Sequence, residues 1–125
     1  MADVELNFVH ICEKAFLSQD GKLNVIGIFN KVMAKNFPAA HPELFVVASI
    51  KDGQGIYNGK IVVEAPTEGI IADAKGQINI GMVGGIGNII ANFRNIVFPS
   101  PGTYKIKIFI ENEFLSEEYL LLTKE

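Results

Sequence analysis

The sequence predicts an all-β fold, a mainly antiparallel sandwich of about eight strands with immunoglobulin-like or C2-like character. Three observations predict it. β-Branched and aromatic runs, broken by Gly, Pro, Asn and Asp, recur at roughly ten-residue intervals. Amphipathic windows of helical length are scarce. A chain of 125 residues that is 49% hydrophobic and 20% charged suits one domain over residues 1–125 with a well-filled core, and excludes a disordered tail.

Taken in order, the first strand spans Leu6 to Phe16, with Phe8, His10 and Cys12 on one side and Val9 and Ile11 on the other. Ser18 to Gly21 turns the chain into a second strand, Lys22 to Asn30, to make a hairpin, with Gly21 supplying the positive φ of the turn. Leu23, Val25, Gly27 and Phe29 alternate with Asn24, Ile26, Ile28 and Asn30, so apolar groups fall on both faces and the strand is expected in the sheet interior. Phe37-Pro38 and His41-Pro42 then read as a shaped loop, since each proline removes a ladder donor. Phe37-Pro38 is a candidate cis bond.

Leu44 to Ile50 is a continuous apolar run of buried-strand length. Asp52 to Gly59 reads as a loop, Lys60 to Ala65 as a strand, and Gly69 to Ala74 with Gln77 to Met82 as two short strands about Lys75-Gly76. Asn88 to Phe98 is a longer strand, bulged because Ile89, Ile90, Phe93, Ile96 and Phe98 break the two-residue period. Pro99-Ser100-Pro101-Gly102 is a rigid corner where the chain changes sheets, and Tyr104 beyond it is placed to anchor its hydroxyl on nearby backbone. Tyr104 to Ile110 alternates cleanly, Glu111 to Glu113 turns, and Leu115 to Thr123 is the last strand.

A net charge of -3 supplies no basic field for a phosphate backbone, so nucleic acid is not expected as a partner. A lone cysteine, Cys12, cannot form an intrachain disulfide, which favours a reducing compartment. Met1 to Glu5 shows neither the basic start nor the apolar run of a secretory signal, and no apolar run approaches the ~20 residues of a spanning helix. The expectation is a cytoplasmic protein that does not engage a membrane.

The order Cys12-Glu13, Gly21-Lys22-Leu23-Asn24-Val25-Ile26-Gly27-Ile28-Phe29, Phe37-Pro38, His41-Pro42, and Phe98-Pro99 to Pro101-Gly102-x-Tyr104 resembles a family of small, uncharacterised bacterial proteins of unknown function. That resemblance implies a bacterial or archaeal origin and a β-sandwich-like domain. It implies no activity, ligand or catalytic residue.

The residues themselves offer few chemical constellations. Gly81-Met82-Val83-Gly84-Gly85-Ile86-Gly87 invites a phosphate loop, but it lacks the third glycine at the required spacing and no Gly-Lys-Ser or Gly-Lys-Thr follows, so it reads as a hairpin loop. His10, Cys12, Glu13 and His41 are metal-ligand types, yet only His10 and Cys12 show a useful spacing, and the simpler reading is a core cysteine beside a polar-tipped histidine. Ser18, Ser49, Ser100 and Ser116 sit in no nucleophile elbow, and Cys12 with His41 is the one nucleophile and base pair to test. Glu117 and Glu118 point to opposite faces of a strand, and Lys105 and Lys107 form an outer stripe read as a guard against edge pairing.

No catalytic, cofactor or metal residue is therefore assigned, and no cofactor is expected. The expected function is a non-enzymatic protein-interaction or structural module with an unknown protein partner. A homodimer through apolar surface at Val32, Met33, Phe37 and Phe45 or at Ile86 to Ile90 is one form of it. The alternative is a small-ligand or metal-ion binding domain whose site lies where the Gly53 to Gly59 and Gly81 to Gly87 loops meet at one end of the sandwich.

Overall fold

The computed structural model describes residues 3–125. In chain order the strands are β1 (Glu5–Leu17), β2 (Leu23–Ile28), β3 (Lys31–Ala34), β4 (Ala39–Lys51), β5 (Gly55–Ala65), β6 (Gly69–Ile80), β7 (Ile86–Phe98), β8 (Gly102–Ile110) and β9 (Glu113–Lys124), with no helix among the described residues. They form a four-stranded sheet ordered β2-β1-β4-β7 and a five-stranded sheet ordered β3-β9-β8-β5-β6. Every ladder is antiparallel except β3 on β9. The expected sandwich is what the chain forms, and β1-β4-β7 against β9-β8-β5-β6 is the A-B-E and G-F-C-C′ arrangement of an immunoglobulin-like domain.

Alternation sorts the inward set. Leu44, Val46, Ala48 and Ile50 of β4 meet Ile61 and Val63 of β5 and Ile106, Ile108 and Ile110 of β8 in the main core between the sheets. The corner after β7 carries the chain from one sheet to the other as expected. There the Tyr104 hydroxyl donates to the Ser100 carbonyl (2.6 Å) and accepts from the Ser100 N–H (3.2 Å). Buried Tyr104 thus satisfies its polar end without leaving the core.

A second, smaller core lies on the outer face of the four-stranded sheet, where Cys12, Ala15, Phe45 and Val47 pack with Phe8, Leu23, Val25 and Ile90. It exists because β1 pairs with β4 only from Glu5 to Cys12 and thereafter with β2 alone. The far half of the β1–β2 hairpin drapes over β4 and β7, and every residue from Leu44 to Ile50 is buried. The strand with both faces and both edges covered is therefore β4. β2, expected in the interior as Lys22 to Asn30, is an edge strand: β1 is its sole ladder partner, and Ile26 and Ile28 are 54% and 59% exposed. Gly27, at φ 71°, brings its backbone under Glu13, whose Oε1 lies 2.6 Å from where a Cβ would stand. The close approach expected of Gly27 and the turn expected of Gly21, at φ 82°, are both present.

Other expectations are corrected by partners distant in sequence. Lys31–Ala34, outside the expected strands, pairs in parallel with Leu121 to Lys124 as β3. β4 begins at Ala39 and runs through His41-Pro42; Pro42 is tolerated because β1 has left that side of β4. The Phe37–Pro38 peptide is cis. β5 begins at Gly55, which shortens the expected loop. In β7 the inward residues change from odd to even numbers across Asn95, whose φ of 52° accounts for the broken period, while the register with β4 stays constant.

The two expected short strands about Lys75-Gly76 are one strand, β6. Gly76 pairs with Gly59, and the Ile89 Cδ1 atom lies 3.2 Å from where a Cβ would stand on either glycine. Gly87 is tighter still. A Cβ there would be 2.5 Å from Ile78 Cγ2 and 3.1 Å from the Asn79 carbonyl oxygen. These glycines let an edge of one sheet close on an edge of the other, so residues 81–85 bridge the sheets and do not form a hairpin within one. Gly87→Ala is expected to destabilise by about 1–3 kcal/mol through overpacking. Gly81→Ala, in open space at ordinary φ, is expected to stay within about 0.5 kcal/mol. Urea unfolding of both variants checks the contrast.

Candidate functional site

Pleat geometry decides where the histidines and the cysteine fall. His10 stacks on Phe8, with ring centroids 4.8 Å apart at 28°. Cys12 is fully buried in the outer-face core, where burial pushes its thiol pKa up and the neutral form is favoured. His41 sits between Phe29 and Phe98 at 6.2 and 6.4 Å. Glu13 and His41 share a hollow of about 480 Å³ with Phe29, Lys31, Val32 and Glu43, but His10 and Cys12 are not in its lining. No group of three or more His, Cys, Asp or Glu placed to hold a metal occurs among the described residues. A thiol reagent should leave Cys12 unlabelled while the outer-face core stays closed; absorbance of the released thiol during denaturation reads this directly.

Lys105 and Lys107 do lie on an exposed face, but β8 is paired on both sides, by β9 and by β5, so they guard no edge. Lys107 instead bridges to Glu64 across the ladder, Nζ to Oε2 2.6 Å. That hydrogen bond holds the Glu64 carboxyl below its ordinary value and raises the Lys107 ammonium. On the same face Tyr119 donates to Glu117 (2.8 Å), which pushes the phenol up. A lowered Glu64 stabilises the fold above its unfolded pKa, and this contribution fades as pH falls through the folded value. The gap in urea midpoint between the native chain and Glu64→Gln should therefore be wider at neutral pH than near pH 2.

Of the apolar surface expected at Val32, Met33, Phe37 and Phe45, Met33 is exposed, Val32 and Phe37 are half-buried against the main core, and Phe45 is buried in the second one. At Ile86 to Ile90 only Ile86 is strongly exposed.

Exposed apolar groups gather elsewhere, at the end where β4 passes to β5 and β6 to β7. Register places these two connections together: Lys51 faces Ile86 and Gly55 faces Ile80. The β8–β9 turn comes up beside them, where Glu111 N–H donates to the Asn58 carbonyl (2.9 Å). Val83 is 79% exposed, Met82 69%, Ile56 63% and Ile86 57%. The β4–β5 connection beside them is held by Tyr57, whose hydroxyl accepts from Gln54 N–H (3.0 Å) and donates to the Gln54 carbonyl (3.1 Å). The two loops expected to meet thus do share one end. Two hollows border it, one of about 400 Å³ on the β5–β6 surface lined by Asn58, Lys60, Lys75, Gln77 and Asn112 with Gly59 and Gly76, and one of about 530 Å³ that includes Asn79, Ile86, Gly87 and Asn88; neither is lined by a residue of 81–85.

The sequence profile of a family of unknown function, DUF6941, matches residues 7–122. The chain belongs to that family. Curated proteins provide no match to it. Among solved structures, the DUF6941 chain is similar to the Pseudomonas fluorescens alkylpurine DNA glycosylase AlkC bound to DNA containing an abasic site analogue, at TM-score 0.59 and 9% identity. The alignment covers 98% of this chain and 31% of the glycosylase, so the chain spans about a third of that protein, and the likeness is one of fold. An immunoglobulin-like protein from Pseudomonas aeruginosa aligns at TM-score 0.43 and 12% identity over 97% of both chains.

Proposed function

We propose that this DUF6941 chain is a non-enzymatic interaction module that meets a protein partner at its loop end. The observation that carries the reading is the exposure of Met82 and Val83, the two most exposed large apolar side chains in the described residues, at the apex of a connection flanked by Gly81, Gly84 and Gly85. Ile56 and Ile86 extend the same apolar ground. In an immunoglobulin-like frame this is the end at which the B–C and F–G connections lie, where recognition surfaces are commonly built on a rigid sandwich. A hydrolytic alternative finds little support, since Cys12 is buried with a raised pKa and His41 lies in a separate aromatic cluster.

The DNA named for the glycosylase does not carry over. A net charge of -3 supplies no overall basic field for a phosphate backbone, and Lys107 is bridged to Glu64. A second reading, small-ligand binding, draws on the polar hollow at Lys60 and Lys75. Affinity capture from the native host separates the two. A protein retained by the native chain and lost with Val83→Asp, at unchanged thermal midpoint, supports interaction at the loop end. Equal recovery with both chains would refute it.

A further inference from the structure

The loop end is also the acidic end of the molecule. The strand ends and turns that converge there carry Asp3, Glu5, Asp52, Glu111 and Glu113 against Lys51, with Lys60 and Lys75 in the hollow beside the β8–β9 turn. The whole chain has 14 acids and 11 bases, so the remaining nine acids and eight bases nearly balance over the rest of the surface. Most of the net negative charge therefore belongs to the loop end. Part of this rim is fixed in place, since Glu111 accepts from both the backbone N–H and the side-chain amide of Asn58, each at 3.3 Å.

We infer, resting on the reading of the loop end as the docking surface, that its partner is a basic, apolar protein segment. Apolar side chains of that segment lie on Ile56, Met82, Val83 and Ile86, and its lysines or arginines face the surrounding carboxylates. Charge complementarity selects this occupant. A carboxylate rim repels an anionic lipid surface, which an apolar loop apex would otherwise suit, and it disfavours acidic segments in the same way. Steering by such a rim is long-ranged at low salt and falls away once the Debye length shrinks to a few ångströms.

The test is a backbone amide NMR titration of the whole chain with two synthetic peptides of equal length, one alternating Leu and Lys and one alternating Leu and Glu. Phosphatidylcholine vesicles containing phosphatidylglycerol form a third arm. The Lys peptide should shift amides within residues 52–56 and 81–87, and its affinity should fall about tenfold between 0.05 and 0.5 M salt. The Glu peptide and the vesicles should leave these amides unmoved. Asp52→Asn, which suits the positive φ of 64° at this site, should weaken the Lys peptide about two- to fivefold with the fold intact. Val83→Asp should weaken it about tenfold or more. Equal, salt-insensitive shifts from both peptides would overturn the charge inference and leave the docking surface standing. Vesicle binding at the same amides would replace the protein partner with a lipid one. If neither peptide nor vesicles moved the loop-end amides, the docking surface itself would be refuted.

Discussion

Two twisted sheets share a core along their middles, but their edges meet only where backbone is allowed close to backbone. In this protein that approach is made of absent side chains. Ile89 of β7 enters the space left by the facing pair Gly59 and Gly76, and Gly87 lies against Ile78, Ile80 and the Asn79 carbonyl. Interiors packed to crystalline density do not absorb an extra methyl cheaply. The contact brings the end of β6 beside the start of β7, so the chain needs only five residues, 81–85, to change sheets. A connection that short, with glycine at three of its positions, has no room to fold its two large apolar residues inward. The exposure of Met82 and Val83 thus follows from the same closure that seals the core beneath them.

Most of the fold was legible where local pattern and global environment agree. The alternation of Tyr104 to Ile110, the unbroken apolar run of Leu44 to Ile50 and the proline corner before Tyr104 each describe a structure that the surrounding chain does not overrule. Legibility failed where a residue answers to a partner far away in sequence. Gly76 resembles a turn and serves a side chain from the other sheet. Lys31–Ala34 is too short to announce itself and exists as a strand because β9 lies beside it. In β2 apolar residues on both faces signalled an interior strand, yet one face is spent on the second core and the other on solvent.

The loop end was legible in part. Its two connections were expected at one end, and a Met-Val pair in a glycine-rich segment is visible to any reader of the sequence. What no composition reveals is where charge collects: five of the fourteen acids come from three separate stretches of chain and are gathered only by the topology. The metal-ligand types show the reverse case. His10 and Cys12 share a face of β1 by simple alternation, but His41 belongs to a cluster with Phe29 and Phe98. Shared chemistry without shared location makes no site.

The draped β1–β2 hairpin has a consequence of its own. Its far half is held by a core of few residues, and β2 has no strand beyond it. The work of lifting it is set by that small core and not by the sandwich, so the chain contains two cooperative units of unequal stability. Opening the weaker one leaves the main core intact while uncovering Phe45, Val47 and the thiol of Cys12. The lone cysteine is thereby a built-in reporter of a partial unfolding that leaves the two sheets together.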